Sequence, residues 1–258
     1  MVWNIFIDLH GPLADMKKVF QNYEEYLITI LSPVGLTRKK ITYFHKKALD
    51  QWLDQVNKIA IDSKCEYDPD YFLKEMGKVD REWEQYILTK ITKCKRIQVE
   101  DNIKTSNLEY NALARGHVPI LFPEVHTTLK NLSEISNLNL NIASSASSHH
   151  IKGAITLHKL EGIFKNLIGY DIAKAPKKGL SGVYYKKIIE LTQTEPTRTI
   201  FIGDSREEAV HSKKLGFKFI MVSRDGNTFS DLKENDSFYY VRKLDEILVL
   251  VHHWLDLG

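Results

Sequence analysis

The sequence predicts an α/β fold in which a parallel β-sheet, covered by helices on both faces, carries an inserted helical cap. From Val118 onward, short apolar runs alternate with amphipathic segments, which is typical of parallel strands joined by helices. A single apolar run at 2–8 stands apart, because the long segment 16–117 that follows it has only helical spacing. We therefore predict a core domain of residues 1–15 and 118–258 and a cap domain of residues 16–117.

The first strand is predicted from the run Trp3–Ile7, which is mostly apolar and is followed by Asp8. Gly11 and Pro12 come next, and these residues are typical of a turn rather than of a continuing strand. The pattern predicts a short buried strand with an acid at its carboxyl end.

Three long helices are predicted within the cap. The first ends at Ser32-Pro33, the second begins after Thr37, and the third begins at Asp68-Pro69. Their apolar positions are, in order, Val19, Tyr23, Tyr26, Leu27 and Ile30; Ile41, Phe44, Ala48, Trp52 and Val56; and Phe72, Met76, Trp83 and Ile87. Their spacing indicates one apolar face on each helix.

Further strands and helices alternate in the rest of the core. The predicted strands are 138–143, 199–202, 217–222 and 238–241, and the predicted helices are 123–134, 148–160, 181–192, 206–215 and 243–255. This alternation predicts a parallel sheet that helices cover on both faces.

The composition favours a soluble cytoplasmic protein. The chain has 258 residues, 43% of them hydrophobic, and its formal net charge of +3 is too small and too scattered to indicate a nucleic-acid partner. No apolar run approaches the roughly 20 residues of a membrane span. The first residues also lack the pattern of a secretion signal. We therefore expect neither a nucleic-acid nor a membrane partner.

The cysteines and the paired histidines do not predict a metal site. Cys65 and Cys94 lie far apart without a CxxC spacing, so neither a disulfide scaffold nor a zinc site is indicated. The adjacent pairs His149-His150 and His252-His253 point in different directions on their helices.

Polar residues follow the predicted strands at their carboxyl ends, where open parallel sheets bind their ligands. Asp8 follows the first strand, Ser144 the second and Asp204 the third, with Glu208 four residues later. A lysine-rich segment that includes Lys178 lies between the strands that precede Ser144 and Asp204. These groups fit phosphoryl transfer, because an aspartate can hold an aspartyl-phosphate and three carboxylates need a hard cation such as Mg²⁺.

These motifs resemble those of the haloacid dehalogenase-like (HAD) superfamily, most of whose members are Mg²⁺-dependent phosphatases. The family's Asp-x-Asp-Gly-Thr-Leu corresponds to Asp8–Leu13, its strand-closing Ser or Thr to Ser144, and its Gly-Asp-Ser-x-x-Asp to Gly203–Glu208. The similarity spans 3–15 and about 118–225. Residues 16–117 match a C1-type cap only in being helical and in the right place.

The resemblance implies a Rossmann-like core with a helical cap, and a small phosphorylated substrate. It implies Asp8 as the nucleophile, Ser144, Ser145 and Lys178 as phosphate-binding residues, and Asp8, Asp204, Glu208 and the backbone carbonyl of His10 as Mg²⁺ ligands. Lys178 matches the family lysine best, and Lys177 and Lys174 are its alternatives.

One departure from the family concerns catalysis directly. His10 stands where the family's second Asp acts as general acid and base, and Pro12 replaces the family's Thr. Such acid–base assistance is worth roughly 10²–10⁴-fold in rate. Histidine can do this work, since its ordinary pKa is about 6.5. His10 is therefore either a modified acid–base group or the mark of a disabled one.

Three functions follow as hypotheses. The first is a Mg²⁺-dependent phosphatase, and the second is a catalytically weak or inactive binding protein, suggested by His10 and Pro12. The third is a hydrolase of carbon–phosphorus or carbon–halogen bonds. Asp204 and Glu208 argue against a metal-free dehalogenase. A phosphonate hydrolase usually draws a Schiff-base lysine from its cap, and the many lysines of residues 16–117 leave that alternative open.

Overall fold

The structure is a computed structural model that describes residues 2–91 and 98–256, so Cys94 lies outside the described residues. Its six strands are β1 (Trp3–Ile7), β2 (Leu138–Ala143), β3 (Asn166–Ile168), β4 (Thr199–Gly203), β5 (Lys218–Val222) and β6 (Phe238–Val241). They form one parallel sheet in the order β3-β2-β1-β4-β5-β6. The predicted α/β fold with a Rossmann-like parallel sheet is confirmed.

Among the described residues, seven α-helices lie between β1 and β2, and the first six form what we call the helical insertion. They are α1 (Met16–Leu31), α2 (Arg38–Ile61), α3 (Ser63–Tyr67), α4 (Pro69–Ile91), α5 (Gln98–Ile103) and α6 (Thr105–Ala114). The helix just before β2 is α7 (Val125–Ser133). The helices after β2 are α8 (Ser148–Leu157), α9 (Tyr170–Ala173), α10 (Val183–Thr192), α11 (Arg206–Leu215) and α12 (Ile247–Asp256). The division into a core domain and a separate cap domain stays a prediction.

The sheet is buried on both faces because neighbouring residues along a strand point to opposite sides. Ile5 and Ile7 belong to one apolar cluster, which includes residues of α7, α8 and α12. Phe6 points to the other face, where residues of α10 and α11 complete a second cluster.

A row of four stacked phenylalanines crosses this second face. Phe6, Phe201, Phe219 and Phe238 are paired directly in the registers of β1, β4, β5 and β6. Their successive ring centroids are 6.5, 6.2 and 5.9 Å apart, and the rings are nearly parallel. We call these residues the phenylalanine row.

The helical insertion has apolar clusters of its own and also packs on the sheet-covering helices. Leu27 of α1, Ile41 of α2 and Ile87 of α4 belong to one of these clusters. α6 packs against α8, where a Cβ at Gly153 would lie 2.7 Å from the carbonyl oxygen of Tyr110. This close approach of two backbones joins the insertion to the core.

Within the described residues, no helix has both the length and the apolar character that crossing a membrane would require. The strand β3 was not predicted from the sequence. It has only three residues, Asn166–Ile168, and two of them are half-buried, so the run is too short to show a strand pattern.

Candidate active site

Three residues that follow strands lie at one edge of the sheet. Asp8 follows β1, Ser144 follows β2 and Asp204 follows β4. These strands are neighbours, and parallel strands have their carboxyl ends on the same edge. The backbone N–H of Asp8 donates to the carbonyl oxygen of Ile202 at 2.9 Å, which fixes the residue beside β4. The fold thus brings distant parts of the chain to one place.

Glu208 joins the two aspartates in an acidic cluster. One carboxylate oxygen from each of Asp8, Asp204 and Glu208 lies within 4.8 Å of the other two. Glu208 is in the first turn of α11, where it forms a capping box with Ser205. Its Oε2 accepts hydrogen bonds from the backbone N–H groups of Asp204 at 2.9 Å and Ser205 at 3.0 Å. The capping box at the start of α11 therefore sets the direction of the Glu208 carboxylate.

Lys177, rather than Lys178, is the lysine that contacts these acids. Its Nζ lies 2.7 Å from Asp8 Oδ2 and 2.5 Å from Glu208 Oε1, and its side chain is only 3% exposed. Lys178 and Lys174 are both exposed. The structure thus brings Lys177, one of the two alternatives, to the acids in place of Lys178, because adjacent lysines point in different directions and spacing alone could not tell them apart. Which of them is the family lysine stays a prediction.

The cluster contains three carboxylates and one ammonium, so it is short of positive charge. Burial raises the pKa of Asp204 to about 7, and the charges of Asp8 and Glu208 act in the same direction. Burial also raises the pKa of Glu208. For Lys177, burial acts to lower the pKa, but the charges of Asp8 and Glu208 outweigh it and the net shift is upward. In each case the site favours taking up a proton to offset its negative charge.

A divalent cation fits this charge deficit. Asp8 Oδ1 is buried and has no hydrogen-bond partner among the described residues, which leaves one oxygen available to a metal. Carboxylate oxygens are the hard ligands that Mg²⁺ prefers. Asp204 Oδ2 lies against Gly11, where an added Cβ would collide with it. The residues that could hold a metal are therefore Asp8, Asp204 and Glu208, and the carbonyl of His10 stays a predicted fourth ligand.

His10 belongs to a chain of hydrogen bonds that the sequence did not reveal. Its Nε2 lies 3.0 Å from Nε2 of His150, and Nδ1 of His150 lies 2.8 Å from the hydroxyl of Tyr23. Burial lowers the pKa of His10 to about 4, and the charges of Lys177 and Lys178 add to this effect. Burial also lowers the pKa of His150. Both imidazoles are therefore neutral at pH 7.

The adjacent pair His149-His150 is split by its helix. His150 is buried against His10, whereas His149 is exposed. The interpretation that the two histidines point in different directions was correct. It gave no sign, however, that one of them faces the site across 140 residues of chain.

Arg224 holds the turn that follows Asp8. Its Nε donates to the carbonyl oxygen of Gly11 at 2.8 Å, and its Nη2 donates to that of Pro12 at 2.6 Å. Its Nη1 also pairs with Glu124 Oε1 at 2.8 Å. This guanidinium supports the unusual His-Gly-Pro turn, and no local pattern around position 224 could have predicted the contact.

The two predicted phosphate-binding serines have different surroundings. Ser144 is fully buried, and its carbonyl oxygen accepts a hydrogen bond from the Tyr184 hydroxyl at 3.0 Å. Its Oγ accepts one from the backbone N–H of Ala146 at 3.3 Å. Ser145 is exposed toward a cavity beside the acids. Their role in binding phosphate stays a prediction.

This cavity has a volume of about 370 Å³ and lies between the sheet edge and the helical insertion. From the sheet edge and the segments beside it, the residues that line it include Asp8, His10, Ser145, Lys177, Lys178 and Asp204. From the insertion, it is lined by residues of α1, α2, α4 and α6. The predicted nucleophile therefore faces a partly open cavity large enough for a small ligand.

A sequence model of the haloacid dehalogenase-like hydrolases matches residues 5–222. The chain belongs to this family. The resemblance recognised in the motifs is thereby confirmed, and the protein is a HAD-like hydrolase.

Known proteins extend the comparison. Enolase-phosphatase E1 of Caenorhabditis elegans is 32% identical over 135 residues, which are 52% of each chain. The HAD-like chain thus spans about half the length of this relative. The 2-haloacid dehalogenase of Pseudomonas syringae pv. Tomato DC3000 has a TM-score of 0.62 at 13% identity, over 98% of this chain and all of that one. The HAD-hydrolase YfnB of Bacillus subtilis, solved bound to magnesium, has a TM-score of 0.58 at 15% identity, over 96% and 98%.

Proposed function

We propose that this HAD-like hydrolase is a Mg²⁺-dependent phosphatase that cleaves small phosphomonoesters through an aspartyl-phosphate on Asp8. The observation that carries the proposal is the cluster of Asp8, Asp204 and Glu208, which has one ammonium and one buried, unpartnered oxygen. Two relatives support it: the C. elegans relative is an enolase-phosphatase, and the B. subtilis structure contains magnesium.

In the proposed reaction, an Asp8 carboxylate oxygen attacks phosphorus and the bond between phosphorus and the ester oxygen breaks. The products are phospho-Asp8 and an alcohol. Water then attacks phosphorus, the bond to Asp8 breaks, and inorganic phosphate leaves with the carboxylate restored. Bound Mg²⁺ would supply positive charge to the phosphoryl oxygens. Lys177 holds Asp8 in position and adds positive charge beside the phosphoryl group.

His10 is the proposed acid and base. The negative charge of a bound phosphate would raise its pKa from about 4, because an opposite charge favours the imidazolium form. The imidazolium would then donate its proton to the leaving oxygen, and the neutral ring would take a proton from the attacking water. His150 orients the ring through the 3.0 Å contact between the two Nε2 atoms.

The central experiment measures Mg²⁺-dependent hydrolysis of p-nitrophenyl phosphate. Asp8→Asn should lower kcat by at least about 10³-fold, because the amide is not a nucleophile. Asp54→Asn, which changes an exposed aspartate on α2, is the matched control and should retain activity. Equal activity of the wild-type protein and Asp8→Asn would exclude this function.

A second experiment addresses His10. His10→Ala should lower kcat for an alkyl phosphate by roughly 10²–10⁴-fold. The loss should be smaller for p-nitrophenyl phosphate, whose leaving group needs no proton. A large gain of activity in His10→Asp would instead mean that histidine at position 10 lowers the rate below what an aspartate there would give.

Carbon–halogen hydrolysis is the second candidate, because the fold is similar to that of a 2-haloacid dehalogenase. Asp8 would displace halide from carbon, and water would then hydrolyse the resulting ester. The three clustered carboxylates favour the phosphatase over this reaction. Without a metal ion these carboxylates would only repel one another, whereas a bound cation would offset their charge. Asp8-dependent release of chloride from 2-chloropropionate in the presence of EDTA would reverse that preference.

Carbon–phosphorus hydrolysis is less well supported by the cavity. Among the described residues that line it, the two lysines, Lys177 and Lys178, both lie between β3 and α10 rather than on the insertion. A Schiff-base lysine from a cap is therefore not among them. Trapping with borohydride and a phosphonoaldehyde tests this directly, and we expect no labelled lysine.

A further inference from the structure

The insertion side of the cavity is mainly apolar. α2 contributes Leu49, Trp52, Leu53 and Val56, which are three and four residues apart and share one helix face. Phe20 of α1 lines the same space. We call these five residues the apolar wall.

Core packing does not account for all of this wall. Phe20, Leu49 and Leu53 belong to none of the apolar clusters that the described residues form. Phe20 and Leu49 are half-buried, and Leu53 is 37% exposed. Apolar side chains that line a cavity beside catalytic groups, without packing into the core, indicate a surface for an apolar ligand group.

The insertion offers the ligand no charged partner. None of its lysines or arginines is among the described residues that line the cavity. Its one lining carboxylic acid in that set is Glu109, whose carboxylate oxygen accepts a hydrogen bond from the Ser147 hydroxyl. Burial raises the pKa of Glu109 to about 8, so this group is neutral at pH 7. His45 of α2 also lines the cavity, and burial lowers the pKa of its imidazole, which disfavours the cationic form. Among the described lining residues, the insertion thus presents no lysine or arginine to a second phosphate or carboxylate.

We propose that the alcohol part of the substrate is a bulky, uncharged, apolar group that fills the cavity against the apolar wall while its phosphate lies at Asp8. The inference rests on the proposed phosphatase function, because it names the substrate class of the same site. The cavity of about 370 Å³ has room for about a dozen water-sized groups at ~30 Å³ each. Sugar phosphates and bisphosphates would leave the apolar wall in contact with water or hydroxyl groups.

The test is a series of n-alkyl phosphates from ethyl to decyl, in which the leaving group has nearly constant acidity. The value of kcat/KM should rise about fourfold for each added methylene until the cavity is full. Glucose 6-phosphate should react no faster than ethyl phosphate. The charged 6-aminohexyl phosphate should be far poorer than heptyl phosphate, which has a similar shape.

Two substitutions connect this series to the apolar wall. Leu49→Asn combined with Leu53→Asn should flatten the chain-length dependence, so that kcat/KM falls much more for decyl phosphate than for ethyl phosphate. Leu191→Asn is the matched control, because Leu191 is 52% exposed on α10 and does not line the cavity. It should keep the full chain-length dependence.

Binding provides a readout that does not depend on turnover. Hexylphosphonate should bind more tightly than ethylphosphonate in calorimetric titrations, by about fourfold per methylene, and the double variant should lose the difference. If no phosphate ester is hydrolysed but this difference is found, the phosphatase function fails and the apolar site stands. If esters are hydrolysed with no dependence on chain length, or with preference for glucose 6-phosphate or the amine, the proposed substrate class is wrong.

Discussion

The sheet edge and the helical insertion contribute opposite kinds of surface to one cavity. At the sheet edge, Asp8, Lys177 and Glu208 are almost fully buried and linked by contacts of 2.5–2.7 Å. On the insertion, Leu49 and Leu53 are partly exposed and outside the core clusters. Groups that react need a fixed direction, whereas an apolar wall needs only shape and area. A single substitution at the sheet edge should therefore lower activity by a large factor, whereas substitutions in the apolar wall should lower it by smaller factors that depend on the apolar area removed.

Apart from the changes at Asp8 and His10, the largest expected effect on activity is at Lys177. Lys177→Met removes the cation that contacts Asp8 and Glu208, so hydrolysis should fall by about 10²–10³-fold. Stability should fall as well, by roughly 3–5 kcal/mol, because buried carboxylates lose their partner. Activity is therefore measured on samples shown to be folded by circular dichroism.

Lys178→Met is the matched control for this change. It removes an exposed charge one residue away, and its effect should be less than about tenfold. Equal losses of activity in the two variants would mean that the contacts of Lys177 with Asp8 and Glu208 are not needed for hydrolysis.

A smaller effect is expected from the turn after Asp8. Gly11→Ala should raise the Mg²⁺ concentration for half-maximal activity by about 10–100-fold, because the new Cβ would displace the Asp204 carboxylate. Gly35→Ala controls for backbone strain, since Gly35 also has a positive φ but has open space around its Cβ position. Equal Mg²⁺ requirements for the two variants would mean that Asp204 is not held in place by this turn.

The smallest effect concerns Glu109 on the insertion side. Its pKa is about 8 in the folded protein and lower when unfolded, so the folded state keeps a proton that the unfolded state releases. Wild-type stability should therefore fall as the pH rises from about 4.5 to 8. Glu109→Gln cannot lose a proton, and should gain roughly 1–3 kcal/mol relative to wild type between pH 5 and pH 8.

Urea unfolding at several pH values measures this difference. Glu134→Gln, at the exposed end of α7, controls for the loss of a carboxylate from the surface. A constant difference between Glu109→Gln and wild type across the pH range would show that Glu109 is charged, and that the insertion side is less apolar than described.

Much of the sheet edge could be predicted from the sequence, because an acid after a buried strand is a local pattern. Asp8 and Asp204 each follow such a strand, and Glu208 is placed by the helix start that comes directly after. The choice between Lys177 and Lys178 could not be made, since both lie in one irregular segment whose direction depends on distant packing.

For the apolar wall, the sequence predicted an apolar helix face but not its place beside the cavity. The spacing of Trp52 and Val56 predicted an apolar face on α2, but a periodic pattern does not tell whether that face packs against another helix or lines a cavity. The contacts of His150 and Arg224 depend on segments more than a hundred residues away. Such long-range partners follow from topology, which a single sequence does not specify.

The phenylalanine row also sets the geometry of the two aspartates. Phe6 and Phe201 face each other across β1 and β4, while Asp8 lies two residues beyond the first and Asp204 three beyond the second. A slip of one residue between these strands would turn one ring to the wrong face of the sheet. The pairing of the two rings therefore fixes how far each carboxylate lies beyond the end of its strand relative to the other. The arrangement of the two carboxylates thus depends partly on aromatic rings that do not line the cavity.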